Sequence, residues 1–304
     1  MRSSDFKAVV EPILAEAFDA VYELRKDEWA PLFDVRPGTP REYHEEPVLY
    51  GFGAAPEIGD GAPVTYQSGG TLYTARYTYK QYGLAYALTQ ILVEDSKHIN
   101  LGSIYSRYLA NALVETKETL TANIINRAFT TGYNGGDGVP LISASHPIYN
   151  GTYSNLLTSS AALSMTSLEA MLVQIRNTAV DNSGKKMRLT PKRLVIHPNN
   201  MFNAEVILNS TLRTGAATYM SNEINPLKSM SVLPDGVTTI SRLTSTTAWF
   251  IQTDSDRGLQ LLTRRKLEKS MEGDFETNSM RYKATERYGL GWTDPRCLWG
   301  TPGT

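Results

Sequence analysis

The chain has few of the features by which several large protein classes are recognised. Its single cysteine, Cys297, excludes an internal disulfide framework and any metal site built from several cysteines. No apolar run approaches the ~20 residues of a membrane-spanning helix, and the first residues lack the apolar core of a signal peptide. Basic and acidic residues are balanced, 30 against 31, so the charge excess typical of nucleic-acid binders is missing. We therefore expect a protein of a reducing compartment that does not span a membrane.

Sequence motifs of enzymes are also absent. The chain has no G-x-S-x-G, H-E-x-x-H or G-x-x-x-x-G-K-[ST] pattern. The stretch GFGAAP, which begins at Gly51, has only the opening glycines of a dinucleotide fingerprint and no third glycine. We predict no cofactor, no metal site and no catalytic residue.

The segment PLISASHP, residues 140–147, sets Ser143 and Ser145 beside His146 and raises the hypothesis of a serine hydrolase. A hydrolase requires a serine within hydrogen-bond reach of a base that a third group orients. Pro147 favours extended geometry at the preceding residue, and adjacent side chains of an extended segment point to opposite faces. A loop histidine with structural hydrogen bonds is therefore the favoured interpretation.

Residues 4–30 carry apolar side chains at helical spacing and predict a helix. The following stretch, APLFDVRPGTPREYHEEP, contains four prolines and a glycine, which end the helix. A helix that leads into a proline-rich tether is typical of an arm outside the compact core.

A glycine-rich stretch, LYGFGAAPEIGDGAPVTYQSGG (residues 49–70), precedes a segment with a period of two. Tyr73, Tyr77 and Tyr79 share one face of this predicted strand, and Arg76 lies on the other face. We interpret the two segments as an extended hairpin. It has too few large aliphatic residues for a core of its own, so it needs another surface to lie on.

Residues 103–131 contain neither glycine nor proline and predict one long helix. At 1.5 Å per residue the helix would be roughly 40 Å long, a length typical of a strut. Its predicted apolar stripe includes Leu113 and Leu120, whereas Glu118 lies off the stripe. We expect the two leucines to be buried and Glu118 to be exposed.

The rest of the chain alternates between helical and strand patterns. Residues 166–180 predict a helix, with Thr166 as N-cap and Glu169 completing a capping box. RLVIHP (193–198) and AWFIQT (248–253) predict buried strands, and the C-terminal segment predicts long polar strands. The whole pattern is that of an α+β protein.

Several stretches carry a resemblance to a known family: GFGAAPEIGDGAP, YTYKQYGLAYALT, DGVPLISASHP followed by GTYSN and ALSMTSLEAML, and the tail ATERYGLGWTDPRCLWG. These motifs resemble the Mu-like phage major head subunit family, often called gpT, over nearly the whole chain. The SHP–GTYSN pair and ERYGLGWTDPR are the most specific of them. The resemblance implies a capsid fold of the Hong Kong 97 type, in which SASHP belongs to the body of a shell subunit.

The resemblance also implies a division of the chain. The expected segments are an N-terminal arm (1–45), an extended loop (46–82), a peripheral domain with a spine helix (83–155), an axial domain (156–255) and C-terminal peripheral strands (256–304). The expected function is that of a major capsid protein, whose hexamers and pentamers enclose double-stranded DNA without sequence-specific binding. Expected partners are further copies of the chain, a separate scaffold and protease, a portal and decoration proteins. The expected location is the virion capsid, assembled in the cytoplasm of a bacterial host.

The hairpin is the part that we expect to contact a neighbouring subunit, because a glycine-rich segment without its own core gains burial only from outside. The predicted contact residues are Phe52, Tyr73, Arg76, Tyr77 and Tyr79.

Two alternatives remain open from the sequence. An encapsulin-like shell that packages protein would share the fold, and the nucleic-acid content of purified particles distinguishes it from a phage head. A serine hydrolase would use Ser145 or Ser143 with His146, which a serine-reactive probe tests.

Overall fold

A computed structural model describes residues 3–25, 27–89, 99–213, 224–274 and 279–303. The expectations that fall on residues 1–2, 26, 90–98, 214–223, 275–278 and 304 lie outside the described residues. In the first half of the chain the elements are α1 (Ser3–Tyr22), β1 (Asp34–Pro37), β2 (Tyr43–Tyr50), β3 (Gly70–Thr78), β4 (Lys80–Thr89), α2 (Ile99–Asn126), β5 (His146–Ile148) and β6 (Gly151–Tyr153). In the second half they are α3 (Met165–Thr178), β7 (Pro191–Ile196), α4 (Met201–Asn209), α5 (Pro226–Ser229), β8 (Val237–Thr239), β9 (Trp249–Thr253), β10 (Leu259–Asp274), β11 (Ser279–Trp292) and β12 (Leu298–Thr301).

The first sheet joins strands from distant parts of the chain in the order β1–β10–β11–β4. β10 and β11 form a long antiparallel hairpin, β4 pairs antiparallel with β11, and β1 pairs in parallel with the start of β10. One face of this sheet packs on the helices, where Met271, Tyr282 and Ala284 are buried against α1 and α2. Because alternate strand residues point to opposite faces, the intervening polar residues of β11 lie on the solvent side.

The second sheet has the order β12–β9–β7–β8 and packs on α3 and α4 in a separate buried cluster. Trp249 of β9 and Trp299 of β12 are both fully buried in it. The strand β12 (Leu298–Thr301) lies within the predicted peripheral segment, 256–304, but pairs with β9 of the predicted axial segment. The apolar side chains of β12 gain their burial there.

The N-terminal helix belongs to the core of the subunit. The sequence predicts an arm outside the core and a helix to residue 30, but α1 ends at Tyr22. Leu14 and Phe18, one helical turn apart, are 3% and 0% exposed and pack in one cluster with Leu109 of α2. The described part of the predicted arm is thus held by apolar contacts with its own subunit.

The predicted long helix is confirmed, but its buried face is rotated from the predicted stripe. Leu113 is 2% exposed, as predicted, whereas Leu120 is only partly buried, and Tyr108, which the same spacing places on the predicted stripe, is 64% exposed. Neither this helix nor any other in the described part of the chain is long and apolar enough to cross a membrane.

Glu118 is the clearest difference on this helix, because it is 1% exposed rather than solvated. Its Oε1 accepts a hydrogen bond of 2.7 Å from the backbone N–H of Glu28, and Arg242 Nη1 lies 3.7 Å from its Oε2. Burial raises the pKa of the Glu118 carboxyl, although the Glu28 amide and Arg242 oppose the shift. The segment before β1 covers this position, which no helical periodicity could reveal.

The helix α3 begins earlier than predicted. Its N-cap is Ser164 rather than Thr166, and the capping box is completed by Ser167 rather than Glu169. Ser164 Oγ accepts from the Ser167 N–H (3.2 Å), and Ser167 Oγ accepts from the Ser164 N–H (2.9 Å). Two serines thus satisfy the backbone donors that a serine–glutamate pair would otherwise satisfy.

Candidate functional site

The base of the β2–β3 hairpin packs against the end of β11 and the residue after it, in the same subunit. We call this contact surface, residues 289–293, the seat. β2 and β3 pair antiparallel, and Tyr77 and Tyr79, which follow the predicted alternation, are 2% and 4% exposed. A Cβ at Gly291 would lie 2.9 Å from the ring of Tyr77, and one at Gly289 would lie 3.3 Å from the ring of Tyr79. The two glycines of YGLGW therefore leave the space that the tyrosine rings occupy.

Hydrogen bonds hold the hairpin on this seat. The Tyr77 hydroxyl lies 2.5 Å from Thr293 Oγ1, which donates to Glu46 Oε2 at 2.6 Å. The Tyr73 hydroxyl donates to the carbonyl oxygen of Thr293 at 3.1 Å. Burial raises the pKa of both Tyr73 and Tyr77, so both phenols stay protonated and available as donors.

The predicted contact residues lie in two different environments. Tyr77 and Tyr79 are buried within the subunit and have almost no area left for a neighbour, and Tyr73 is partly buried with its hydroxyl satisfied internally. The surface that the hairpin needs is supplied at its base by β11 and the segment after it. Arg76 and Phe52 remain exposed: Arg76 pairs with Glu45 at 2.7 Å, and Phe52 is 59% exposed.

The tip of the hairpin is a loop that projects into solvent. Every residue from 51 to 69 is exposed. Apolar side chains lie among the exposed ones, with Phe52 at 59%, Ile58 at 51%, Val64 at 64% and Tyr66 at 96%. The only charged residues in this loop are acidic, Glu57 and Asp60. Exposed apolar groups on a segment without a core are typical of an interaction surface.

The quoted motifs SHP, GTYSN and TDPR meet in a buried polar junction behind the seat. His146 is fully buried, with Nδ1 at 2.6 Å from Asp137 Oδ2 and Nε2 at 3.0 Å from Asn155 Oδ1. The Asp137 side chain is 2% exposed. The loop after α2 and the segment after β6 are thereby tied together through one imidazole.

Asn155 is the centre of the junction. Its Nδ2 lies within hydrogen-bond distance of three backbone carbonyls, those of Leu141 (2.8 Å), Pro295 (3.0 Å) and Leu298 (3.0 Å). Its Oδ1 accepts from the Ser143 N–H at 2.8 Å. This set of partners fixes the orientation of the amide, because a flipped amide would place its oxygen against the carbonyls.

Arg296 closes the other side of the junction. Its guanidinium lies over the Tyr153 ring at 4.3 Å, and the His146 ring stacks with Tyr153 at 5.0 Å. Its Nε donates to the carbonyl oxygen of Val180 at 2.7 Å, and its Nη1 lies 3.1 Å from Asp294 Oδ1. The cation is thus desolvated but paired and stacked, as buried arginines require.

This geometry does not support the serine–histidine alternative. His146 Nε2 faces Asn155, whereas Ser145 is exposed and its Oγ lies 3.4 Å from Ser143 Oγ. The Cys297 thiol is buried, and burial raises its pKa, which disfavours the reactive thiolate. Among the described residues no group of three histidine, cysteine, aspartate or glutamate side chains could hold a metal ion.

Residues 73–300 match the family model described as phage capsid protein. The chain belongs to the phage capsid protein family. The matched range contains most of β3, the junction, and the strands of both sheets except β1 and the last residue of β12. The function of this capsid protein is to form the shell of a phage head. No curated protein matches the chain significantly.

Solved structures of capsid shells share the fold. The capsid of the cyanophage P-SCSP1u is 13% identical with a TM-score of 0.57, and the match covers 90% of this chain and 86% of that chain. A solved structure from the Microbacterium phage Oxtober96 is 10% identical with a TM-score of 0.55, at 92% of each chain. The virus-like particle from Pyrococcus furiosus is 10% identical with a TM-score of 0.53, at 95% and 98%. The predicted Hong Kong 97-type fold is confirmed.

Sequence reasoning missed the residues on which the hairpin and the junction depend. Asn155 lies in the motif GTYSN and Arg296 in the motif ERYGLGWTDPR. Neither periodicity nor composition indicates that their hydrogen-bond partners come from three separate segments. Gly289 and Gly291 carried a signal: alternating glycines in a strand pattern mark the close approach of another group. The approaching groups are the rings of Tyr77 and Tyr79, at the base of the β2–β3 hairpin.

Proposed function

We propose that this capsid protein is a Mu-like major head subunit, and that its copies form hexameric and pentameric capsomers through the loop of residues 51–69. The observation that carries the proposal is a difference in burial within the β2–β3 hairpin: its base is buried against its own subunit, whereas its tip is exposed to solvent. Ordering a glycine-rich segment costs about 1–2 kcal/mol per residue in backbone entropy. A neighbouring subunit is the surface that would offset this cost.

The proposed domain division follows the two sheets. β7, β8 and β9, together with α3 and α4, form the proposed axial domain, to which β12 is added. α4 exposes Phe202 at 77% and Val206 at 52%, one helical turn apart, and further copies at the capsomer centre would cover this apolar area. The sheet of β10 and β11, with α1, α2 and β1, forms the proposed peripheral domain.

We propose the solvent side of the peripheral sheet as the surface that receives the loop of a neighbour. Arg281, Lys283 and Arg287 share this side of β11, and Arg265 lies directly opposite Arg287 on β10. Within the described residues Lys283 and Arg287 have no carboxylate at ion-pair distance, and like charges in opposed positions are unfavourable. Beside them an open cavity lies between Ala85 of β4 and Ser270 of β10. Glu268, Glu272 and Asp274 share this side, and Arg265 and Arg281 pair with Glu268 and Asp274. An acidic, partly apolar segment would therefore find Lys283 and Arg287 as the cations without a carboxylate partner.

Replacing residues 52–68 by Asn-Gly tests the role of the loop. The replacement leaves the pairing of β2 and β3 intact and supplies the two residues that a tight hairpin turn favours. We expect a folded subunit, because residues 51–69 are exposed, and no closed particles. Circular dichroism reports folding, and sedimentation with electron microscopy reports particles.

The matched control keeps the length of the loop and removes only its apolar groups, by changing Phe52, Ile58, Val64 and Tyr66 to serine. Loss of particles in both variants assigns the contact to these side chains. Full-size particles from the Asn-Gly variant would show that the loop has no part in assembly.

Charge reversal tests the proposed receiving surface. Changing Glu57 and Asp60 to lysine is expected to reduce particle yield by at least about tenfold at low salt, because attraction becomes repulsion across the contact. Combining this change with Arg281→Glu and Lys283→Glu in the same chain should restore particles. Equal yields for the first variant and wild type would exclude the electrostatic contact.

The nucleic-acid content of particles tests the proposed cargo. A phage head contains double-stranded DNA after infection, whereas a protein-packaging shell retains a protein. The family match favours the phage head. Particles from infected cells that contained protein cargo and no DNA would favour the encapsulin-like alternative.

A further inference from the structure

The point where the loop leaves the subunit is in contact with a turn far along the chain. Asn182 Nδ2 donates to the carbonyl oxygen of Leu49 at 2.8 Å, and the N–H of Gly51 donates to Ser183 Oγ at 3.0 Å. These two bonds bracket Tyr50, the last residue of β2. The first residues of the loop therefore have a defined direction relative to the turn.

The turn itself is rigid. Asp181 Oδ1 accepts from the N–H groups of Ser183 (2.9 Å) and Lys185 (2.8 Å), and the Asp181 N–H donates to the Lys185 carbonyl oxygen at 2.7 Å. Gly184 has a φ of +83°, a conformation that favours glycine. Val180, just before the turn, accepts the hydrogen bond from buried Arg296. The turn is thereby anchored to the polar junction.

A stacked pair of tyrosine rings contacts both ends of the loop, where the chain leaves β2 and where it enters β3. The rings of Tyr50 and Tyr149 stack at 4.2 Å, and the Tyr149 N–H donates to the carbonyl oxygen of Asn182 at 3.0 Å. On the returning strand a Cβ at Gly70 would lie 2.6 Å from the Tyr50 hydroxyl oxygen, so any larger residue there would require the Tyr50 ring to move. The outgoing and returning chains are thus positioned by one ring.

We propose that Asn182, Ser183 and Tyr149 form a clasp, which sets the direction in which the loop of residues 51–69 leaves the subunit. The inference rests on the proposed function of that loop and deepens it, since the clasp residues position the assembly contact without touching the neighbour. The two hydrogen bonds are exposed to solvent and contribute little to the stability of the fold. Their effect is geometric: a small change of angle at the root becomes a large displacement at the tip.

The clasp also connects the loop to the second sheet. The turn of residues 181–184 lies between α3 and β7, which belong to the lobe that contains Trp249 and Trp299. A rotation of this lobe relative to the peripheral sheet would therefore act on the loop through Asn182 and Ser183. The clasp makes the direction of the loop depend on the placement of the two sheets.

The test is the double variant Asn182→Ala, Ser183→Ala in the full chain. We expect a melting temperature close to that of wild type and amide hydrogen exchange at Gly51 faster by about tenfold, because this N–H loses its acceptor. We also expect closed particles to decrease at least about fivefold, with open or irregular assemblies in their place. Ser183→Thr, which keeps the hydroxyl acceptor, should exchange and assemble as wild type does.

The matched control is Thr247→Ala. Its hydroxyl also makes an exposed hydrogen bond to a backbone carbonyl, that of Pro302 at 3.1 Å, and Thr247 belongs to none of the proposed contact surfaces. Unchanged exchange at Gly51, or particles equal to those of Thr247→Ala, would overturn the clasp. If the Asn-Gly variant that lacks residues 52–68 assembles normally, the proposed function and the clasp fail together. If that variant is defective and the clasp variant is not, only the clasp fails.

Discussion

Asn155→Ala is expected to lower the free energy of unfolding of the unassembled subunit by about 3–5 kcal/mol, because the buried His146 ring and several backbone groups lose their hydrogen bonds to this amide. The affected groups are the carbonyls of Leu141, Pro295 and Leu298 and the N–H of Ser143. Each buried group left unsatisfied costs on the order of 1–3 kcal/mol, and the full sum is reduced where a water enters the space.

Chemical denaturation of the purified subunit measures this loss. Asn209→Ala is the matched control, because its amide makes one exposed hydrogen bond, to Glu205 at 2.7 Å, and is expected to cost under about 1 kcal/mol. A loss at Asn155 no larger than that of the control would show that the junction does not depend on this amide.

The second large effect is expected at a buried ion pair between α2 and β11. Lys117 Nζ lies 2.8 Å from Glu286 Oε2, and the two side chains are 14% and 5% exposed. Tyr22 of α1 joins them, since Lys117 donates to its hydroxyl oxygen at 2.7 Å and that hydroxyl donates to Glu286 at 3.2 Å. Lys117→Met is expected to cost about 3–5 kcal/mol, because it leaves a buried carboxylate without its cation.

A double substitution separates the pair from its surroundings. Lys117→Met with Glu286→Leu should recover most of the loss, because no unpaired charge remains and both side chains are apolar. The exposed pair of Arg76 and Glu45 is the control, and Glu45→Gln should change stability by less than about 1 kcal/mol. If the double variant is no more stable than Lys117→Met, packing rather than charge determines the site.

The pH dependence of the same pair has a definite sign. Burial lowers the pKa of Lys117, but the Glu286 carboxylate and the Tyr22 hydroxyl raise it more, and the pKa lies above its usual value. A raised lysine pKa contributes stability that is complete below the unfolded value of about 10.4 and is lost as the pH rises through the folded value. The difference in stability between wild type and the double variant should thus be constant near neutral pH and shift against wild type above about pH 10.

The elements that the sequence predicted well are those with a local cause. The alternation of Tyr73, Tyr77 and Tyr79 predicts a strand with one aromatic and one polar face, and the absence of glycine and proline predicts the long helix. The helix spans Ile99–Asn126 rather than residues 103–131, and its buried face is rotated from the predicted stripe. A helix turns about 100° per residue. When apolar residues lie on several sides of a helix, the sequence therefore does not determine which of two neighbouring faces packs against the core. Glu118 is buried because the segment of Glu28 covers it.

The sequence by itself determined the α+β class, the hairpin with its glycine-rich tip, the spine helix and, through its motifs, the resemblance to phage head subunits. Only the tertiary structure decided which side of the hairpin is free. Tyr77 and Tyr79 meet Gly291 and Gly289 from more than two hundred residues later in the chain, so a face that alternation marks as buried is buried within the subunit. Periodicity indicates that one face of a strand is buried. It does not identify the residues that bury it, because these come from a distant part of the chain. The contact with Gly289 and Gly291 leaves the loop of residues 51–69 exposed, and this exposure is the basis of the proposed assembly contact.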